Sequence, residues 1–442
     1  MAVNPTQHEH GIAVNLKSLL WLAIPAMIST LLNNAYRIID QYAVQWIGTD
    51  AQAAVGSSAF VLIAAYAIFL VISGGAAPLI ARATGAGDPE KRRKIIGQSL
   101  IACGLASLLF CLFLCLGNEW ITQAVGLEGS AAEQMETYLL WLGGTGFFLS
   151  FGPLIDAIYI SMGNTKFPMA LQLISTLLNA ILNWLLIYEL KMGIAGAAVA
   201  SGISRGLVSI IGLIAIYRDF SPKHQFDMEI KRVLRIGLPV AMGTLMYALV
   251  YWALLKTSIS PLGPEVNAAL GIGFSALEGV SWPLYAGIMI AVSSLIGRQI
   301  GAQKLEECDK TIRLAFGFST VLGGTISLTF YFMAEPLCSV FTSDPETLKE
   351  AIIYAKILAF SQLFVAWEAL TEGILSGAGD TKTVFYWSVP FNLLRIPLSW
   401  ILAFPLGWKA AGVWWAINMT TYAKAILKGV MVHRGKWKEL EA

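Results

Sequence analysis

The chain has 442 residues, of which 56% are apolar and 13% charged, with a formal net charge of +2. Soluble domains carry about 25% charged residues, and the mean hydropathy here is +0.66. These values exclude a soluble globular protein and indicate an integral membrane protein. Apolar runs long enough to cross a hydrocarbon core of about 30 Å recur so often that no room remains for a soluble domain.

The apolar runs predict an all-α membrane protein with twelve membrane-spanning helices. Short polar connections, many with Gly, Pro or charged residues, separate one run from the next. The predicted spans are residues 17–46, 52–81, 95–117, 133–160, 168–189, 194–217, 233–260, 266–297, 311–334, 348–376, 383–405 and 410–432.

Lys and Arg concentrate in alternate connections between the spans. One side holds Arg82 with the run "KRRK" at 91–94, the basic connection 218–235 and the C-terminal bases from Lys424 to Lys438, whereas the other side carries acids such as Glu119. Because basic residues stay on the cytoplasmic side, both termini are predicted to be cytoplasmic. We expect a multi-pass protein of the cytoplasmic (inner) membrane.

The two halves of the sequence repeat each other. "LIARATGAGDPEKRRK" at 79–94 aligns without a gap on "LIGRQIGAQKLEECDK" at 295–310, and the same offset superposes "SMGNTK" at 161–166 on the last six residues of "LSGAGDTK" at 375–382. Each half has six spans, an even number, so the repeat is parallel and predicts two six-helix bundles. The predicted division is an N-terminal lobe 1–217, a cytoplasmic linker 218–232, and a C-terminal lobe with a cytoplasmic tail 233–442.

These features resemble the multidrug and toxic compound extrusion (MATE) family. The likeness is carried by the G-x-T-K turns after spans four and ten, the R-x-x-G-A element after spans two and eight, and Pro25 in a first span that also holds Asp40. It extends over essentially the whole chain. The resemblance implies a secondary active efflux transporter that exports organic, cationic or amphipathic compounds by alternating access, coupled to antiport of H⁺ or Na⁺.

The partners expected from this resemblance are small organic substrates and the lipid bilayer. We expect no cofactor besides the coupling ion, H⁺ or alternatively Na⁺, and no nucleic-acid partner. A monomer is expected because one chain already contains both lobes. The substrate site is expected where the two lobes meet, near the middle of the bilayer.

A polar stripe in the first span identifies a candidate proton site. A charged side chain at the bilayer centre costs about 2.5 to 3.5 kcal/mol on insertion scales, so it needs a partner, a cavity or a pore. At 3.6 residues per turn, one helix face carries Asn33, Arg37, Asp40 and Gln41. Asp40 is predicted to carry H⁺, because protonation removes the cost of burying its charge. A structural ion pair between Arg37 and Asp40 is the alternative.

Oxygen-bearing side chains in spans five and six offer partners to Asp40. Asn179 and Asn183 stand four residues apart, and Ser201 follows in span six. Carboxylate, amide and hydroxyl oxygens suit a hard cation such as Na⁺, and the resemblance implies that these four residues occupy the family's cation site. The family has an Asp where this chain has Asn183. Asp156 in span four is the candidate to supply the missing negative charge. If Asp156 does not reach the site, H⁺ is favoured over Na⁺ as the coupling ion.

The second lobe also carries charged residues inside its spans. Either the acids line a substrate cleft, or Lys256 and Arg395 form structural ion pairs with them. MATE relatives carry an acid in the seventh span where this chain has Lys256, so no second-lobe ion site is predicted. The candidate cleft residues, with aromatic and Met side chains suited to amphipathic cations, are Asn33, Tyr36, Arg37, Gln41, Glu278, Trp282, Met289, Glu368, Glu372 and Arg395.

Pro25 is predicted to be a hinge. A proline within a helix removes one backbone hydrogen bond and favours a bend, and Pro25 precedes Asp40 on the same span. The first helix is therefore expected to bend with the charge state of Asp40.

Three other functions stay open. The first is a flippase for lipid-linked precursors, which belongs to the same superfamily as MATE proteins and would bind pyrophosphate through basic residues such as Arg37, Arg205 and Arg395. The second is a channel. A membrane enzyme, the third, is disfavoured. The four histidines lie at or outside the span boundaries, and the sequence has no Walker A, HExxH or GxSxG motif. We predict a non-enzyme.

Overall fold

A computed structural model describes residues 14–224 and 229–440. The predictions for residues 1–13, and for 225–228 in the predicted linker, lie outside the described residues. Almost all described residues are helical, and they form the twelve helical segments that the sequence predicts, in two sets of six. In chain order the segments are α1 Leu16–Gln45, α2 Thr49–Gly85, α3 Pro89–Val125, α4 Gly129–Thr145 with Phe148–Ser161, α5 Lys166–Glu189, α6 Gly193–Phe220, α7 Glu229–Leu262, α8 Pro264–Ile272 with Glu278–Gly301, α9 Leu305–Phe332, α10 Pro345–Ala359 with Gln362–Gly377, α11 Thr381–Ala403 and α12 Lys409–Arg434.

Length and composition mark most of these segments as membrane spans. Within the described part of the chain, eight helices are long and apolar enough to cross a membrane, and α4 and α10 bring the number to ten if each bent pair is one span. The sequence predicted α4 and α10 as single helices, but they bend by 70° and 55°. At the first break a Cβ on Gly146 would lie 2.4 Å from the carbonyl oxygen of Leu142, so the turn leaves no room for a side chain.

The backbone follows the internal repeat. Gly163 and Gly379, paired by the repeat in the G-x-T-K turns, both adopt left-handed conformations, with φ of 83° and 81°. The next residues, Asn164 and Asp380, each accept a hydrogen bond from the backbone N–H three residues later, at 3.1 and 3.3 Å. The same turn therefore precedes α5 and α11, as the parallel repeat requires.

The described chain forms two compact units whose boundaries differ from the predicted lobes. One unit comprises Ser29–Ala241; the other combines the residues up to Ile28 with those from Met242 onward. The boundaries therefore fall inside α1 and α7, each shortly after a proline, Pro25 or Pro239. Much of the predicted linker is helical as well, because α6 extends to Phe220 and α7 begins at Glu229.

Close backbone packing explains these boundaries. A Cβ on Gly237 of α7 would lie 1.7 Å from the carbonyl oxygen of Val71 of α2, so the first half of α7 packs within the first unit. In the second unit, a Cβ on Gly287 of α8 would lie 2.6 Å from the backbone nitrogen of Met27 of α1. Hydropathy and loop charge contain no information about these glycine contacts. The boundary between the lobes was therefore predicted in the basic connection 218–232, not inside α1 and α7.

Each set of six helices ends with a segment that returns to its own third helix. After α6, the backbone N–H of Lys223 donates to the carbonyl oxygen of Arg93 at 3.1 Å, and its ammonium pairs with Glu90. After α12, Lys438 pairs with Asp309 of α9 at 2.7 Å. In each set, these contacts join the segment after the sixth helix to the third helix of the same set.

Candidate functional site

Asp40 of α1 is held by side chains of α5 and α6 in the first unit. Asn183 Nδ2 donates to Asp40 Oδ1 at 2.8 Å, and Ser201 Oγ donates to Asp40 Oδ2 at 3.0 Å. Asn183 Nδ2 also donates to Asn179 Oδ1 at 3.2 Å. The four residues that the sequence grouped as an ion site are therefore in direct contact, and Asp40 is their single carboxylate. Their function as an ion site stays a prediction.

Tyr36 extends this set of hydrogen bonds by one helical turn. Asn179 Nδ2 donates to the Tyr36 hydroxyl at 3.0 Å and approaches Ser201 Oγ at 3.5 Å. The Tyr36 hydroxyl also shares a 2.9 Å hydrogen bond with Ser204 Oγ. Tyr36 and Asp40 are four residues apart and so lie on one face of α1. The predicted cleft candidate Tyr36 is thus 2% exposed and part of the hydrogen-bonded set.

Arg205 brings a positive charge to the same place. Its guanidinium lies 4.1 Å from the centroid of the Tyr36 ring, a cation–π distance, and its Nη2 donates to Asn33 Oδ1 at 3.2 Å. On α6 Arg205 follows Ser201 by one turn. Its charge opposes the arrival of a second cation beside Asp40.

Three predicted residues lie apart from this set. Arg37 and Gln41 are exposed, and the alternative of an ion pair between Arg37 and Asp40 is wrong, since none forms between these two described side chains. Asp156 is half-buried, and no hydrogen bond joins it to Asp40, Asn179, Asn183 or Ser201 within the described part. Asp156 therefore does not supply the second carboxylate by direct contact.

The acids of α10 form a buried ion-pair cluster, but with partners that differ from the prediction. Glu368 Oε1 lies 2.8 Å from Lys424 Nζ and 2.9 Å from Lys428 Nζ, and Lys428 also pairs with Glu372. Lys424 and Lys428 are only 4% and 0% exposed. The prediction that both lysines belong to the tail after the last span was therefore wrong, because they lie within α12 and two acids on α10 balance their charges.

The predicted bases of the second unit make other contacts. Lys256 is exposed, with its ammonium 4.6 Å from the Trp252 ring centroid. Arg395 is buried and donates to the hydroxyls of Thr420 and Thr421 at 2.9 and 3.1 Å. The predicted ion pairs of Lys256 and Arg395 with glutamates are therefore wrong within the described residues.

The remaining cleft candidates of the second unit are dispersed. Glu278 accepts a hydrogen bond from the Tyr354 hydroxyl at 3.0 Å. Trp282, one turn further along α8, is 47% exposed. Met289 packs beside the buried Tyr285. The structure does not bring these candidates into one hydrogen-bonded set as it does in the first unit.

Sequence reasoning missed Lys424 and Lys428 although a signal was present. The two lysines are four residues apart within a predicted span, and Glu368 and Glu372 have the same spacing in another span. A separation of four residues places both members of each pair on one face of their helix. Two complementary pairs buried in one bundle predict mutual contact, but loop-charge counting assigned the lysines to the tail.

The family model for MatE matches residues 25–185 and 239–401, one stretch in each set of six helices. Together the two stretches include most of the chain, and the chain belongs to the MatE family. This is a family of membrane transporters, in agreement with the expected non-enzyme.

Two relatives illustrate the sequence similarity. The probable multidrug resistance protein NorM of Thermotoga maritima is 26% identical over 445 residues, covering 96% of this chain and 93% of the relative. Protein DETOXIFICATION 32 of Arabidopsis thaliana is 23% identical over 448 residues, covering 97% and 84%. Both alignments extend over nearly the full length of this chain.

Solved structures share the fold. A MOP superfamily transporter from Pyrococcus furiosus has a TM-score of 0.89 at 20% identity and full coverage of both chains. The Vibrio cholerae MATE transporter VcmN has a TM-score of 0.88 at 19% identity, covering 97% of this chain and 98% of that one. These likenesses confirm the all-α architecture with two parallel repeats.

Proposed function

We propose that the chain is a secondary active multidrug exporter that moves organic, cationic or amphipathic compounds out of the cytoplasm in exchange for H⁺. The names of its relatives, multidrug resistance and detoxification proteins, support the export of small organic compounds. The proposal includes alternating access by a monomer in the inner membrane, with both termini cytoplasmic. One charge moving inward at 100 mV supplies about 2.3 kcal/mol, against about 1.4 kcal/mol per tenfold gradient of a neutral solute.

The observation that carries the coupling proposal is the contact of Asp40 with Asn183 and Ser201. In the observed arrangement both partners donate to the carboxylate, which stabilises its charged form. Asn183 Oδ1 is buried and makes no hydrogen bond within the described part of the chain. A half-turn of this amide would offer that oxygen to the O–H of a protonated Asp40. The site can therefore serve both protonation states with the same side chains.

H⁺ fits this site better than Na⁺. A Na⁺ ion needs several oxygen ligands, but amide N–H groups of Asn179 and Asn183 are directed at the oxygens of neighbouring side chains. Only Asp40 supplies a negative charge, and Arg205 adds a positive charge one turn from Ser201. Na⁺ is the alternative ion and would require both amides to rotate.

Transport in proteoliposomes tests the proposal. Efflux of a fluorescent organic cation is measured with a pH gradient or a Na⁺ gradient imposed separately, for wild type, Asp40→Asn and the control Asp50→Asn, which removes an exposed acid at the start of α2. We expect efflux driven by the pH gradient in wild type and in the control, and its loss in Asp40→Asn. Efflux driven by Na⁺ alone would contradict H⁺ coupling, and absence of efflux under either gradient would contradict the export function.

A further inference from the structure

The second unit contains a polar helix face that corresponds to the face of α5 at the Asp40 site. On α11, Asn392, Arg395 and Ser399 are spaced i, i+3 and i+7, which places them on one face, and they are 4%, 3% and 0% exposed. The repeat offset that pairs Gly163 with Gly379 relates these residues to Thr176, Asn179 and Asn183 of α5. In the second unit an arginine thus replaces an amide of the first-unit site.

Arg395 is buried without a negative partner. Its Nε and Nη2 donate to Thr420 and Thr421, and its guanidinium lies 6.0 Å from the Tyr251 ring centroid. No carboxylate of a described residue lies within ion-pair distance of Arg395, and Glu368 is occupied by two lysines. A buried cation without a counter-charge is costly, so an anionic ligand at this place would offset the cost.

Two further buried polar groups on the same face lack partners. Asn392 Oδ1 and Ser399 Oγ make no hydrogen bond to any described residue. They flank Arg395 by one helical turn on either side. The Ser399 hydroxyl can donate to an anion, and rotation of the Asn392 amide presents its NH₂ group in place of the oxygen. Unsatisfied groups on both sides of a buried guanidinium match the hydrogen bonds that a polar ligand at this place would make.

We propose that Arg395, with Ser399 and Asn392, forms a subsite for the carboxylate of the transported compound. The proposal rests on the proposed export function and narrows its substrates to amphipathic compounds that carry a carboxylate beside their cationic group. Arg395 supplies the charge and a planar set of N–H donors suited to a carboxylate. Thr420 and Thr421 fix the plane of the guanidinium.

The test compares two dyes that differ only in the carboxylate: rhodamine B as the free acid and as its ethyl ester. Proton-driven transport of each dye is measured for wild type, Arg395→Gln, Arg395→Lys and the control Lys256→Gln, which removes an exposed cation of the same unit. Loss of a charge-assisted hydrogen bond raises the KM on the order of tenfold. We expect that increase for the free acid in Arg395→Gln, an unchanged KM for the ester, partial recovery in Arg395→Lys, and no change in the control.

An equal change for both dyes, or no change for either, would overturn the proposal, because a purely structural arginine cannot distinguish an acid from its ester. Repeating the assay in gluconate instead of chloride separates the sources of the anion. A chloride effect on both dyes alike, lost in Arg395→Gln, would mean that chloride and not the substrate carboxylate occupies the subsite.

If wild type transports neither dye under a pH gradient or under a Na⁺ gradient, the proposed export function fails, and binding tests the subsite separately. Fluorescence anisotropy of the two dyes with the purified protein then replaces transport. Tighter binding of the free acid that is lost in Arg395→Gln supports the subsite, whereas equal binding of both dyes overturns it.

Discussion

The side-chain amide of Asn183 donates to the carboxylate of Asp40 across 143 residues of sequence, at 2.8 Å. This contact joins α5 to α1 and fixes the only carboxylate of the first-unit site. It also places an uncharged amide where the resemblance to MATE proteins implies an aspartate. The choice of coupling ion is therefore tied to one residue.

Placing an aspartate at position 183, as the resemblance implies for MATE proteins, should allow Na⁺ to act as a coupling ion. In Asn183→Asp a second carboxylate would lie beside Asp40 and add a charged oxygen ligand for Na⁺. We expect Na⁺ gradients, which are not expected to drive wild type, to drive dye efflux in this variant. Asn183→Ala is the control that loses the amide without adding charge, and equal Na⁺ responses in both variants would contradict the assignment. Efflux under imposed Na⁺ gradients is the measurement.

The cluster of Glu368, Glu372, Lys424 and Lys428 should be stabilising only as a whole. Its formal charge is zero, and removing one partner leaves a buried charge unpaired, at a cost of about 3 to 5 kcal/mol. We expect Lys428→Met to lower the free energy of unfolding in detergent by this amount. The double variant Lys428→Met with Glu372→Gln should recover part of the loss. Equal stability of Lys428→Met and wild type would show that the cluster is not charged as described.

The glycine contact between α2 and α7 should be intolerant of a methyl group. A Cβ on Gly237 would overlap the carbonyl of Val71, whereas a Cβ on Gly243 of the same helix meets nothing within 4 Å. Overpacking costs about 1 to 3 kcal/mol, so Gly237→Ala should lower the thermal unfolding temperature. Gly243→Ala should leave it unchanged or raise it slightly because alanine favours helix. The prediction fails if the two variants unfold alike.

Pro25 should matter for transport rather than for proton binding. Pro25 is buried within α1, and the helix passes from one compact unit to the other shortly after it. Pro25→Ala restores the backbone N–H and stiffens the helix. We expect slower proton-driven efflux with unchanged proton release on dye binding. Pro390→Ala, at an exposed position in α11, is the control. Unimpaired efflux in Pro25→Ala would count against a hinge.

Composition and the internal repeat were sufficient to predict twelve helices, and the resemblance grouped Asp40, Asn179, Asn183 and Ser201 correctly in space. The hydrogen bonds of the Tyr36 hydroxyl with Asn179 and Ser204 could not be predicted. Helix spacing defines which residues share a face of α1, but not which helix packs against that face. The unit boundaries inside α1 and α7 depend on backbone contacts of Gly237 and Gly287, and a hydropathy profile does not reveal such contacts.

The charged residues of the second unit show a different limit. Loop-charge counting treats every Lys near a predicted end as solvent-exposed, and this placed Lys424 and Lys428 outside the bundle. Pairing by matched spacing with Glu368 and Glu372 would have corrected it. Arg395 was recognised as a buried base, but its threonine partners on α12 depend on how α11 and α12 pack, which the sequence pattern does not define.

The central claim is that Asp40 exchanges a proton for the transported compound, and proton release on binding tests it most directly. A cationic dye is added to purified protein in weakly buffered detergent solution, and the pH change is recorded for wild type and Asp40→Asn. If binding and protonation at Asp40 exclude each other, linkage predicts release of about one H⁺ per dye bound in wild type, at a pH low enough to protonate Asp40 before the dye is added, and none in Asp40→Asn. Equal release by both proteins, or no release by wild type while the dye binds, would contradict the account.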